Sequence, residues 1–467
     1  MKKILCLILN MLLLVSLAAC AAGESATTTA ATEAAAYLKV GYSKVSIVPK
    51  TPLALSSTEQ NTYTAVYEDV FMTCIAITDE EGETILMFTT DISYCSRVNR
   101  ETLIEAAENA TGVPGENRFF SCTHNHSGLD PSGAAMKILE SAIVESSTAA
   151  LADRAAATLY AGTTRTEGMN FIRHYQTEDG YWVGDGYYSP TGTKAHTQER
   201  EADPTVSLIR FDREGKDPIL MMNWQAHGVY SYLQEFLCAD YIGSLRTTVE
   251  EETNCLFAFF QGAAGNVNPV SNLSNKYPKT LAGMTNYGKE LAHQVIPAIS
   301  TLKPMNGDDL EIVHTTKVLD VRQDTGEMIM AAADFRRIIE AGGTRVEAIA
   351  ECGGLIRGDQ GAEWLPYRSS FGDTVDADIS AIRLGDVSFV VVPYEMFDDT
   401  GMDIRERSPF DITFILGYTN GRLFYVPSAA CIEHGCYEWE CGLFVKGTAE
   451  LLADEYVNLL NQLNDAK

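Results

Sequence analysis

Between Leu38 and Thr90 the chain carries apolar runs of strand length, "LKVGYSKVSIVP", "VFMTCIAIT" and "TILMFTTDI", and the last two are joined by the acidic, glycine-containing "DEEGE". Apolar runs punctuated this way read as strands, and the connector predicts a hairpin. "RVNRETLIEAAENATG" then takes helical spacing closed by a glycine, and "ENRFFSCT" returns to strand. Further strand candidates are "RAAATLYAGTTR", "TVSLIRFD", "DPILMMNWQAHG", "CLFAFFQG", "DISAIRLGDVSFVVVPYE" and "DITFILGYT". Helical stretches lie among them, notably "YGKELAHQVIPAIS", "MIMAAADFRRIIEAGG" and "GTAELLADEYVNLLNQL". With no repeat and no internal linker, the expected architecture is α/β (mixed α+β), one large domain of mixed sheets and flanking helices over residues 37–467.

The N-terminus is of another kind. Lys2 and Lys3 precede an apolar run, Ile4 to Val15, too short for a permanent membrane span, and small residues lead into Cys20. Residues 1–19 are expected to be a signal peptide of the lipoprotein type. "LAAC" resembles the lipobox of bacterial lipoproteins, in which the cysteine is lipidated and begins the mature chain. Residues 20–36 are then the lipidated Cys20 and a small, polar tether that cannot bury enough surface to fold. The expectation is a membrane-anchored protein of the cell envelope, facing outside the cytoplasm.

The formal net charge of −28 argues against nucleic acid as a partner, since phosphate binding needs a basic patch. Nine of the 11 cysteines lie beyond Cys20 and no CxxC pair occurs, so zinc-ribbon and thioredoxin-like readings lack their signature. Cys431, Cys436 and Cys441 crowd together closely enough for one disulfide in an exported protein.

Chemistry concentrates where strands end. In "FFSCTHNHSG" His124 and His126 are two apart, and on extended chain they face one side, as two metal ligands or merely as a polar turn. Metallo-β-lactamase-like hydrolases continue HxHxDH, but Gly128 and Leu129 stand where the Asp and second His belong. The chain's eight histidines also do not supply the later ligands of a barrel amidohydrolase. His227, closing "LMMNWQAH", leaves its strand as His124 does, whereas His293 sits in an amphipathic helix, His314 in a strand-like stretch, and His174, His196 and His434 in polar loops. Glu395, closing "VSFVVVPYE", puts an acid at the end of a strand so apolar that it demands a partner or a metal.

"VGYSKVSIVPKTPLA", "CTHNHSG", "NWQAHG" with "ADYIG", "QGAAGNVNP", "VVPYEMF" and "GYTNGRLFYVPS…GCYE" follow one another in an order that resembles the neutral/alkaline ceramidase family over about residues 38–467. Members of that family are zinc amidases that cleave the N-acyl bond of ceramide. The resemblance implies one Zn²⁺ per chain held by His124, His227, Glu395 and Tyr425. It also implies His126, Tyr437 and Arg173 as active-site groups that stabilise an oxyanion or protonate the leaving amine.

Two departures qualify what the resemblance implies. The family's GDVSP is GNVNP here, so Asn266 replaces an aspartate and Asn268 a serine linked to catalysis. An amide side chain forms no acyl intermediate, which leaves Asn268 a hydrogen-bonding role in a metal-dependent route and opens the substrate to N-acyl amides other than ceramide. The family's C-terminal immunoglobulin-like domain is expected to be absent. The alternative expectation is a surface ligand-binding lipoprotein that keeps the zinc pocket without turnover.

Overall fold

The computed structural model describes residues 38–466 apart from 57–61, 185, 231–234, 275 and 369. The expected signal segment, Cys20 and the tether lie outside the described residues.

Eight strands build the larger sheet: β1 (Leu38–Ser46), β2 (Phe71–Thr78), β3 (Thr84–Thr90), β4 (Arg118–Cys122), β5 (Ala155–Arg165), β6 (Thr205–Arg213), β7 (Ile219–Trp224) and β8 (Leu256–Gln261). They lie in the order β8, β7, β6, β5, β1, β2, β3, β4, and the short Lys303–Pro304 segment pairs with β5 as a ninth member. The DEEGE connector is the expected hairpin turn: Gly82 takes φ 93°, and Thr78 faces Thr84 across the antiparallel pair. The centre of the sheet is antiparallel, but both edges are parallel pairs, β3 with β4 and β7 with β8. Parallel neighbours need a crossover, and helices α1 (Arg97–Thr111) and α3 (Tyr241–Thr253) supply them. Gly112 closes α1 at φ 73°, as its sequence position implied.

A second sheet contains β9 (Leu310–Asp320), β10 (Thr374–Leu384), β11 (Val387–Val391) and β12 (Ile412–Leu416) in that order. It too ends in a parallel pair, β11 with β12, joined by α5 (Asp398–Arg407).

Strand alternation sorts the core into layers. On β2, Ile75 and Ile77 point at the second sheet and share a core with Ile382, Phe389 and Phe414, whereas Met72, Cys74 and Ala76 point outward to α1 and α2 (Gly133–Ala152). Leu208 and Met222 meet Leu245 of α3 and Leu291 of α4 (Leu281–Ile299). Val390 and Ile379 meet Ile404 of α5 and Leu460 of α6 (Thr448–Asp465). The result is four layers, helices, sheet, sheet and helices, the mixed α/β architecture expected from the sequence. Each fully buried Phe, Leu or Ile in these layers stabilises the fold by about 1.5–3 kcal/mol. Among the described residues no helix is long and apolar enough to cross a membrane.

Candidate metal site and substrate pocket

The three parallel pairs place the chemistry. His124 lies just beyond β4, His227 just beyond β7 and Glu395 just beyond β11, so their side chains gather at the carboxyl ends of strands, where open α/β sheets bind ligands. Glycine lets the first two loops touch: the Gly228 carbonyl accepts from His126 N at 3.0 Å, and a Cβ on Gly228 would stand 2.8 Å from the His124 carbonyl. His124 itself is held at φ 60°, a conformation a non-glycine residue keeps only when its surroundings impose it.

The imidazoles are oriented by carbonyls. His124 Nδ1 lies 2.8 Å from Ser93 O and His227 Nδ1 3.1 Å from Val267 O. A carbonyl only accepts, so both Nδ1 atoms carry the proton and both Nε2 lone pairs face inward. The two Nε2 atoms stand 3.5 and 3.4 Å from one Glu395 oxygen. Ligands at 2.0–2.2 Å from a tetrahedral zinc are roughly 3.3–3.6 Å apart, which matches these separations. His227 Nε2 is buried and has no hydrogen-bond partner among the described residues. Burial lowers the proton affinity of all three neighbouring histidines, His124 well below the usual value and His126 and His227 to about 3, with nearby cationic groups reinforcing the effect at His126 and His227. They are neutral at pH 7, the form that binds metal. The donor set therefore fits a divalent cation of the zinc class. Tyr418, unremarked in the sequence, stacks on His124 at 4.0 Å and donates to Glu395 at 3.5 Å.

The other expected residues fall as follows. Tyr425 lines the same pocket, its two-residue strand pairs with that of Glu395, and its ring stacks with His227 at 6.5 Å. His126 Nε2 is 3.2 Å from His124 Nε2. Arg173 and Tyr437 line the same pocket, the guanidinium 5.3 Å from the Tyr425 ring and 5.4 Å from the Tyr437 ring, and the Tyr437 hydroxyl donates to Gln360. Asn268 is not among the pocket-lining residues; its short strand pairs with Phe171 and Ile172, immediately before Arg173. Asn266 and Asp398 exchange hydrogen bonds at 2.9 and 3.0 Å, which anchors the GNVNP loop to the start of α5.

Behind Arg173 lies a network that sequence reasoning missed. Fully buried Glu438 accepts from Arg173 Nε at 2.6 Å and His174 Nε2 at 2.9 Å, and His174 Nδ1 donates to Glu199 at 2.9 Å. Burial opposes charging His174, but the two carboxylates outweigh it and hold its proton affinity well above the usual value. His174, Glu199 and His434 also approach metal-binding spacing, yet both His174 nitrogens already donate, so this cluster is an ion-pair brace. His174 lies in the strand His174–Thr177, not in a polar loop: its flanks are polar because they pair charges. Cys431 and Cys436 bring their sulfurs to 2.6 Å beside it, while Cys441 faces the pocket.

The pocket encloses about 560 Å³, and Tyr94, Trp364, Tyr367 and Phe424 supply an aromatic part of its lining. No protein-family model and no curated protein sequence matches the chain. Solved structures do match. Neutral ceramidase from Pseudomonas aeruginosa superposes with a TM-score of 0.67 at 16% identity, over 92% of this chain and 75% of that one. A ceramidase complexed with C2 gives a TM-score of 0.68 at 16% identity with the same coverage. Across 92% of its length, this chain has the fold of neutral ceramidase.

Proposed function

We propose that the protein is a zinc-dependent amidase that hydrolyses an N-acyl amide bond, and that it works as an exported lipoprotein anchored through Cys20. One observation carries the enzymatic reading: His124, His227 and Glu395, from three separate strand exits, bring their ligand atoms within 4.8 Å of one another on the wall of a pocket large enough for an acyl amide. The shared fold with ceramidases supports it.

In this reading His124, His227, Glu395 and Tyr425 hold one zinc, which when bound supplies a Lewis acid for the amide carbonyl and acidifies water at neutral pH. Ser93 and Val267 carbonyls keep the two imidazoles aimed inward. Arg173 and Tyr437 line the same pocket and, once the Tyr437 proton turns away from Gln360, donate to the oxygen that gains charge, a contribution of about 3 kcal/mol per well-placed donor. His126, neutral and beside His124, is placed to take up the proton released by the attacking water and hand it to the departing amine, which cannot leave as an anion. Asn266 reads as a structural brace, and Asn268 supports the segment bearing Arg173.

The test is hydrolysis of a panel of N-acyl amides, ceramides and N-acyl amino acids included, with and without chelator. Chelator-sensitive amide cleavage is expected. Bound zinc without cleavage of any member would favour the ligand-binding lipoprotein, for which the loss of the motif serine at Asn268 is the supporting observation.

A further inference from the structure

The pocket contains a cation that the amidase reading leaves unused. Two arginines line it. Arg173 is committed to Glu438 and to the Gly265 carbonyl. Arg422 is half-buried and forms no ion pair among the described residues. Its guanidinium lies 3.9 Å from the Tyr94 ring, 5.3 Å from Phe424 and 5.8 Å from Trp364.

That setting fixes the group. Aromatic faces hold a guanidinium flat and leave its edge donors free to bind a planar anion in two-point fashion. The backbone beneath is equally constrained: Leu423 N donates to Pro393 O at 2.9 Å, Phe424 O accepts from Glu395 N at 2.8 Å, and Phe424 itself sits at φ 59°. Arg422 is thereby tied to the segment that presents Glu395. None of the pocket's three acids pairs with it: Asp130 accepts from Tyr94 and Ser132, Glu395 faces His124 and His227, and Glu363 is exposed.

A substrate without charge, such as ceramide, would cover this cation and strip its water with no counter-charge in exchange. We infer that Arg422 is an anion-recognition residue and that the substrate is an N-acyl amide bearing a carboxylate, as an N-acyl amino acid does. The inference rests on the amidase reading above and narrows its substrate class.

The test compares N-dodecanoylglycine with N-dodecanoylethanolamine, of similar size but neutral, using the zinc-loaded protein and its Arg422→Gln and Arg422→Lys variants. The wild type is expected to favour the glycine conjugate in kcat/KM by about 10- to 100-fold, the range of one charge-assisted contact. Arg422→Gln is expected to bring the ratio to about one, and Arg422→Lys, which keeps charge without the fork, to an intermediate value. Melting temperatures and zinc content identify any variant that has lost its fold, in which case the lysine variant decides. A wild type that favours the ethanolamide, or a ratio unchanged in both variants, overturns the inference. If neither compound is cleaved, the amidase reading fails, and calorimetric binding of the same pair to wild type and variants still decides the role of Arg422: tighter, Arg422-dependent binding of the glycine conjugate upholds it, and equal binding overturns it.

Discussion

Glu438→Gln is expected to destabilise the protein by about 3–5 kcal/mol, the range for removing one partner of a buried ion pair. Glu438 is fully buried and is the shared acceptor of two cationic donors, Arg173 at 2.6 Å and His174 at 2.9 Å. Burial alone would favour its protonation, but the charges of His174 and Arg173 keep it ionised well below the usual carboxylate range. Glutamine preserves the volume but removes the charge, and its NH₂ points a third donor at a site that already holds two. One of them loses its acceptor. Two charge-assisted hydrogen bonds of about 1.5–3 kcal/mol each give the same magnitude independently. Against a typical total of about 5–15 kcal/mol the loss is large. Urea unfolding followed by tryptophan fluorescence measures it, with an unchanged slope as the check that both proteins unfold alike. A difference below about 1 kcal/mol, the range of an exposed pair, would show that water reaches the brace and refute the reasoning.

The same network sets a pH dependence. His174 is raised above its ordinary 6.5, so its contribution is complete below that pH and is lost as pH rises through the elevated value. Glu199, lowered to about 2, and Glu438, lowered further, contribute fully above their ordinary 4.5 and lose it as pH falls. Unfolding free energies measured across pH should therefore plateau between 4.5 and 6.5 for this network and decline on both sides. Arg246→Met strands buried Asp91, whose two oxygens take Arg246 at 2.7 and 2.8 Å, and is expected to cost about 3 kcal/mol in the same unfolding assay. Gly228→Ala drives a Cβ into the His124 carbonyl; zinc affinity, titrated against a competing chelator, should fall about 10- to 100-fold, as when a ligand's support is disturbed.

Strand exits were legible in the sequence because each is an apolar run that stops abruptly at His124, His227 or Glu395, and burying such residues requires a partner. Tyr425 was reachable only through family resemblance, since a tyrosine after a strand is ordinarily packed. The layering was not legible, because β-runs such as "FMTCIAIT" are apolar on both faces and do not say which face meets helices and which meets the second sheet. Glu438 stood inside the quoted "GCYE" yet its role depends on Arg173, 265 positions away, and one sequence does not pair such residues. Arg422, in "NGRLFY", had the appearance of a loop cation; its aromatic bed comes from Tyr94 and Trp364, brought in from distant segments.

Anomalous X-ray diffraction at the zinc edge, from crystals of the protein purified without chelator, addresses the metal centre directly. The expected result is a single zinc peak about 2.0–2.2 Å from His124 Nε2, His227 Nε2, a Glu395 oxygen and the Tyr425 hydroxyl, absent from the His124→Ala protein. A folded protein with no peak there, or a peak at His174, Glu199 and His434 instead, would contradict the account.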